Sequence, residues 1–259
     1  MFRCNKKGGV CTLALYERTG SQGTVTARPG TTCTTCPNRF YEKGMVFRWI
    51  GETILETPEP VVLGPIPFLQ RELSEGRDGK QAVGEIDHVL VRPEGEPLCW
   101  CALEIQAVYF SGDSMRGEFQ ALGEATDASV PFPRGHRRPD FRSSGPKRLM
   151  PQLQIKVPAL RRWGKRMAVV VDAAFFGAMS PMETVSDLSN CDIAWFVVRY
   201  AQDGAETHLR ADSVHLTTLE RAVEGLTAGR TVDQRTFEQT IRARLAAEAT
   251  SRANQGPCR

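Results

Sequence analysis

Two short strings hold the side chains best suited to metal-assisted chemistry: Gly84-Glu85-Ile86-Asp87 and Glu104-Ile105-Gln106, the second glutamate following Asp87 by seventeen residues. Each lies in an apolar, β-branched setting, AVGEIDHVLV and LCWCALEIQAVYF, and the intervening PEGEP reads as a turn. The pattern predicts a hairpin. Residues two apart on a strand share a face, so Glu85 pairs with Asp87 and Glu104 with Gln106. Counting back through the turn sets Asp87 opposite residue 103 or 104. Carboxylates converging there repel unless a divalent cation lies among them, and hard oxygen ligands completed by water and a substrate phosphate are what Mg²⁺ prefers. The plainer alternative is a set of solvent-facing charges on an amphipathic hairpin. Against it, Trp100, Leu103, Ile105, Ala107, Val108 and Phe110 surround Glu104. So apolar a strand is expected to be covered on both faces, and a buried unpaired carboxylate is costly.

A second cluster is built from sulfur. Four of the eight cysteines, Cys4, Cys11, Cys33 and Cys36, fall in the first 36 residues, the last two as the knuckle Cys33-Thr34-Thr35-Cys36-Pro37. Four thiolates suit a tetrahedral structural site for zinc or iron. The polar, Gly-rich stretch between the pairs could not build a core unaided, which is where a structural metal helps. Disulfides would need an oxidising compartment, a redox pair would need a βαβ context that the flanks lack, and plain free thiols are the remaining alternative. Cys99 and Cys101 read as small core residues.

These groups need a scaffold. The chain's 259 residues, 41% hydrophobic and 24% charged, suit one large domain or a domain with a satellite. No apolar run approaches the roughly 20 residues of a membrane span, and MFRCNKKGG has no apolar signal core, so a cytoplasmic location is expected. Strands are expected near 83–91, 98–110, 167–171 and 191–201, and helices at 115–126, 216–227 and 233–249. Residues 46–70, with Pro58, Pro60, Pro65 and Pro67, read as irregular, and 132–148 as a long basic loop. From 149 to 164 the apolar positions Leu149, Leu153, Val157, Leu160 and Trp163 have helical spacing, interrupted by Pro151 and Pro158. The fold class is α/β: a mixed sheet of at least four strands flanked by helices, with a Cys-rich lobe over residues 1–45.

The net charge of +3 hides a strong asymmetry. Residues 49–133 hold 15 Asp/Glu against 5 Lys/Arg, whereas residues 134–166 hold 11 Lys/Arg against a single Asp. A metal-holding acidic centre beside a surface for a polyanion fits this map, and phosphate backbones are the common polyanion. The alternative is a solvated basic face without a specific partner.

Cys4 and Cys11 with Thr35-Cys36-Pro37-Asn38-Arg39-Phe40, then Gly84–Asp87, Leu103–Gln106 and Arg142-Ser-Ser-Gly-Pro-Lys-Arg-Leu-Met-Pro-Gln-Leu-Gln-Ile-Lys156 resemble, in combination, the NotI family of type II restriction endonucleases over roughly residues 1–176. The resemblance implies a restriction-endonuclease-like PD-(D/E)xK core over 46–259 and homodimeric, Mg²⁺-dependent cleavage of double-stranded DNA. It makes Asp87 the core's Asp and Glu104 its acidic ligand, and it puts Gln106 where most relatives have lysine. Cys4, Cys11, Cys33 and Cys36 match a four-cysteine metal site that holds iron in this family.

A glutamine cannot carry charge, so Gln106 is expected to position water through hydrogen bonds. Glu85 is either a further ligand or a strand-edge surface charge, and His88, pointing away from Asp87 by alternation, is read as a packing residue. Lys147, Arg148, Lys156, Arg161 and Arg162 are the candidate DNA contacts, some to phosphate and some to base edges. The leading reading is the nuclease of a restriction-modification pair. The alternatives are a low-specificity nuclease of the same core, in repair or antiphage defence, and a DNA-binding protein whose nuclease centre has decayed.

Overall fold

Three apolar runs, centred near residues 103, 169 and 196, have no polar face to turn to water, and the chain buries them side by side in the middle of a mixed sheet. The computed structural model describes residues 11–19, 24–72, 80–110, 115–125, 138–204, 206–227 and 232–254. Met1–Thr227 form one compact unit and Ala228–Arg259 a second, so the cysteine segment and the sheet fall within the same unit.

The first described elements form an antiparallel ribbon, β1 (Thr12–Thr19) and β2 (Thr24–Thr34). A 3₁₀ segment (Pro37–Gly44), helix α1 (Met45–Ile50) and a π-helical turn (Gly51–Leu55) follow. Then come β3 (Val61–Leu63), the ribbon of β4 (Ile66–Glu72) and β5 (Lys80–Ile86), β6 (His88–Val91) and β7 (Trp100–Ile105). Helix α2 (Arg116–Glu124) precedes α3 (Phe141–Ser144), which continues through a π-helical turn (Gly145–Leu149) into α4 (Met150–Arg162). The unit closes with β8 (Met167–Asp172), α5 (Ala173–Gly177), β9 (Ile193–Asp203), β10 (Glu206–Thr217) and α6 (Leu219–Thr227). In the second unit, α7 (Gln234–Asn254) exposes Phe237, Ile241 and Leu245 at four-residue steps.

The main sheet has six strands in the order β10-β9-β8-β7-β6-β3, with β7, β8 and β9 parallel and the rest antiparallel. Period-2 alternation splits its side chains into two cores. Ala102, Val169, Val171, Trp195 and Val197 pack with Leu149, Leu153, Val157 and Leu160 of the α4 region and with Phe175 of α5. Leu103, Ala168, Val170, Phe196 and Val198 pack with Phe40, Val46, Ile50 and Leu55 on the other side. Glu104, two residues beyond Ala102, therefore belongs to the α4 face.

Several expectations change. The strand expected at 83–91 bends at Asp87, so β5 pairs with β4 in its own ribbon and only β6 joins the main sheet. The strand at 98–110 keeps ladder pairing only over Trp100–Ile105. Residues 46–70 are mostly regular rather than irregular. Of the basic segment 132–148, residues 132–137 lie outside those described, and from Phe141 onward it is helical rather than a loop, with Asp140 accepting from the Ser143 amide at 2.9 Å as N-cap. The helix then runs through both prolines. Pro151 stands just after the widened π turn. Strand β10 was not anticipated because it is polar and largely exposed, held at the sheet edge by its ladder with β9.

Candidate active site

The pairing of β6 with β7 sets the site. His88 lies opposite Leu103 and Val91 opposite Trp100, so the same register places Asp87 opposite Glu104. The two acidic residues meet from neighbouring chain segments, as the turn-counting expects. Asp87 occupies the bend between β5 and β6, and its Oδ2 accepts the Ile105 N–H at 3.3 Å. The bend has a second effect: Glu85 is carried into the β4–β5 ribbon, exposed and opposite Pro67, and no continuous strand face joins it to Asp87.

Glu104 is only 2% exposed. Burial and the neighbouring charge of Asp87 push its carboxyl up to about 7, against the opposing pull of Lys156. That lysine reaches the carboxylate from α4, 52 residues along the chain: its Nζ donates to Glu104 Oε1 at 2.5 Å and to Gln152 Oε1 at 3.1 Å. It is 5% exposed. Helix α4 can deliver it because Leu153, Val157 and Leu160 anchor the same side of the helix in the core, which leaves Gln152 and Lys156, one turn apart, at the edge of that buried stripe. Gln106 is buried beside the pair, and its Nε2 donates to the carbonyl of Ala107 at 2.5 Å.

A cleft of about 350 Å³ opens over this centre, lined by Asp87, Ile105, Gln106, Ala107, Tyr109, Arg148, Gln152 and Pro37. At its wall the guanidinium of Arg148 lies 3.8 Å from the centroid of the Tyr109 ring. Lys147 and Arg148 are exposed on the π-helical turn, and Arg162 is exposed at the end of α4. Arg161 is engaged elsewhere: its guanidinium grips Asp192 through Nε at 2.8 Å and Nη2 at 2.5 Å, and also bonds Glu220. His88 packs edge-on to Tyr41, and the Tyr41 hydroxyl and His88 Nε2 are 3.2 Å apart. Burial holds its imidazole below the usual histidine range.

Of the four N-terminal cysteines, Cys4 lies outside the described residues. Cys33 and Cys36 are buried and Cys11 is half-buried at the end of the β1–β2 ribbon, where the Thr35 amide donates to the Cys11 carbonyl at 2.9 Å. Burial and the charge of Asp172 push the Cys33 thiol up to about 12. Among the described residues, no three Cys, His, Asp or Glu side chains gather as a metal-binding group. The knuckle is nonetheless tied to the sheet. The Thr34 amide donates to Asp172 Oδ2 at 2.6 Å, and the Val108 amide donates to the Thr34 carbonyl at 2.8 Å.

Sequence reasoning placed Lys156 among the DNA contacts and missed its ion pair with Glu104. The signal available was the four-residue step from Arg148 to Gln152 to Lys156, running alongside a buried apolar stripe. The family model for restriction endonuclease NotI matches residues 2–210. That range covers the cysteine ribbon, both acidic residues, α4, all of β9 and the start of β10, well beyond the segment that carries the resemblance in sequence. A search of curated proteins found no match. Among the described residues no helix is long and apolar enough to cross a membrane. The chain belongs to the NotI restriction endonuclease family and is a type II restriction endonuclease, a site-specific enzyme that cleaves double-stranded DNA.

Proposed function

We propose that Asp87 and Glu104 form the cleavage centre and hold Mg²⁺, within a PD-(D/E)xK-type core. The observation that carries this reading is that Asp87, one residue before the β6–β7 ladder, accepts the Ile105 amide next to the buried Glu104. The two carboxylates supply hard oxygen donors, a set that fits a small divalent cation. When bound, such a cation supplies Lewis-acid polarisation of the phosphoryl group and neutralises charge that develops during in-line displacement.

The chain's own residues do the rest. Gln106 uses one N–H on Ala107, which leaves its amide oxygen and second N–H for orienting water at the cleft floor. Arg148, braced on Tyr109, with Lys147 and Arg162, supplies exposed cations for phosphates and base edges. Glu85, exposed on the β4–β5 ribbon, is given the role of a strand-edge surface charge. One centre breaks one strand, so a double-strand cut calls for two copies, and we assign the active form as a homodimer. The assignment of Cys4, Cys11, Cys33 and Cys36 to a structural iron or zinc ion rests on the family resemblance, since the three of them that are described do not gather as a metal-binding group.

The test is cleavage of unmethylated duplex DNA of mixed sequence in Mg²⁺. Discrete fragments are expected from the wild-type chain. Asp87→Asn and Glu104→Gln should lower cleavage by at least about 100-fold while DNA binding in Ca²⁺ persists. Full cleavage by either variant would remove the pair from the chemistry.

A further inference from the structure

Strand β7, which carries Glu104, has no lysine or arginine. Gln106, two residues past Glu104 on the same face, is neutral, and its amide nitrogen is turned to the Ala107 carbonyl. The cation that bonds to Glu104 comes from a different layer of the fold: Lys156 of α4, with Nζ 2.5 Å from Glu104 Oε1 and 3.1 Å from Gln152 Oε1. From these contacts we infer that Lys156 is a positioning residue for DNA cleavage, supplying from α4 the fixed positive charge that β7 lacks at Gln106 and acting through Glu104; this rests on the assignment of Asp87 and Glu104 as the cleavage centre.

The arrangement is a rare one. Lysine is almost never fully buried unless paired, and a buried ion pair is a weak device for stability, because apolar residues of similar volume often serve as well or better. Its value is geometric. The ammonium holds Glu104 in one orientation, facing Asp87, before any cation or DNA arrives. Gln152, one turn earlier on α4, takes a second donor of the same ammonium and so fixes the direction from which Lys156 approaches. Gln152 also lines the cleft, so the support for Lys156 forms part of the wall that faces substrate.

The role differs from a phosphate contact in what it predicts. A lysine that binds backbone phosphate weakens DNA binding when removed and lowers the salt dependence by about one ion. A lysine that positions Glu104 leaves DNA binding in place and lowers the rate of cutting.

The experiment uses the full chain and a duplex carrying one site that the wild-type protein cuts. Lys156→Met is expected to bind that duplex in Ca²⁺ within about twofold of wild type, with an unchanged salt slope. Its single-turnover cleavage in Mg²⁺ should fall about 100-fold or more. Adding Gln106→Lys to Lys156→Met returns a cation to β7 and should restore at least about a tenth of the wild-type rate. If Lys156→Met fails to fold, Lys156→Gln, which keeps a hydrogen-bond donor for Glu104 without the charge, takes its place in the same comparison. A folded variant that cleaves within threefold of wild type overturns the inference, as does a loss traced to weakened DNA binding or a loss that Gln106→Lys leaves unrepaired. Asp87→Asn run alongside separates the two levels of the argument. If that variant also cleaves normally, the cleavage centre itself is misplaced; if it is inactive while Lys156→Met is active, only the role of Lys156 falls.

Discussion

Glu104 sits under opposed influences. Burial and the charge of Asp87 favour its protonated form, and the Lys156 ammonium favours the carboxylate, with a balance at about 7. Because the carboxyl lies above its ordinary range, a proton occupies it in acid and leaves as pH rises through neutrality. A divalent cation therefore displaces a proton at pH 6 and meets a carboxylate at pH 8. Ca²⁺ affinity is expected to rise about tenfold between those values, with proton release at the lower pH that calorimetry in buffers of different ionisation enthalpy would detect. A flat profile would contradict the balance described. At this scale Asp87, Glu104 and Gln106 were legible because strand periodicity and turn length fix which residues oppose one another. The Lys156 contact was not, since it depends on the phase and docking of a helix 52 residues away. Glu85 was misread as sharing a face with Asp87 because alternation holds only while a strand stays straight, and this one bends.

Elements, more than residues, decide where that centre stands. The parallel strands β7, β8 and β9 were readable from their unbroken apolar runs, which only a doubly covered sheet can bury. The edges were less readable: β10 is polar, and β3 is three residues between prolines, so each is defined by its neighbour's ladder and not by its own pattern. The segment after α1 shows how local space outranks composition. It was expected to be irregular, yet the π-helical turn at Gly51–Leu55 packs the fully buried Leu55 beneath the sheet. Gly51 makes this approach possible, since a Cβ there would lie 2.5 Å from the Thr57 carbonyl oxygen and 2.7 Å from the Pro60 ring. The backbone oxygen cannot move aside as a flexible side chain would. Gly51→Ala is expected to destabilise the protein by about 1–3 kcal/mol in denaturant titration, while the cleavage rate of the protein that remains folded stays near wild type. An unchanged midpoint would mean that the turn relaxes freely.

At the scale of the whole molecule, the acidic and basic blocks of the sequence touch at a buried ion pair. The acidic block contributes β7 and the basic block contributes α4, and Glu104 with Lys156 is a buried point of contact between them. The cysteine segment belongs to the same compact unit, joined through Thr34 to Asp172 at the end of β8 and to Val108 just past β7. If a metal staples that segment, its removal is felt beyond the ribbon. Purified protein is expected to carry about one iron or zinc per chain, and stripping it with a strong chelator should lower the melting temperature by several degrees. Protein without iron or zinc, or with melting indifferent to the chelator, would count against the four-cysteine assignment.

The helix that carries Lys156 also carries Arg148, two four-residue steps earlier and roughly 12 Å along the axis. Arg148 stands at the wall of the cleft, against the Tyr109 ring, and Lys156, in the middle of α4, reaches the carboxylate of Glu104. If Arg148 contacts a duplex as proposed, that contact and the Lys156–Glu104 pair lie on one continuous helical segment. Discrimination between DNA sites and readiness to cut them would then be two readings of a single helix position, with no relay needed between them.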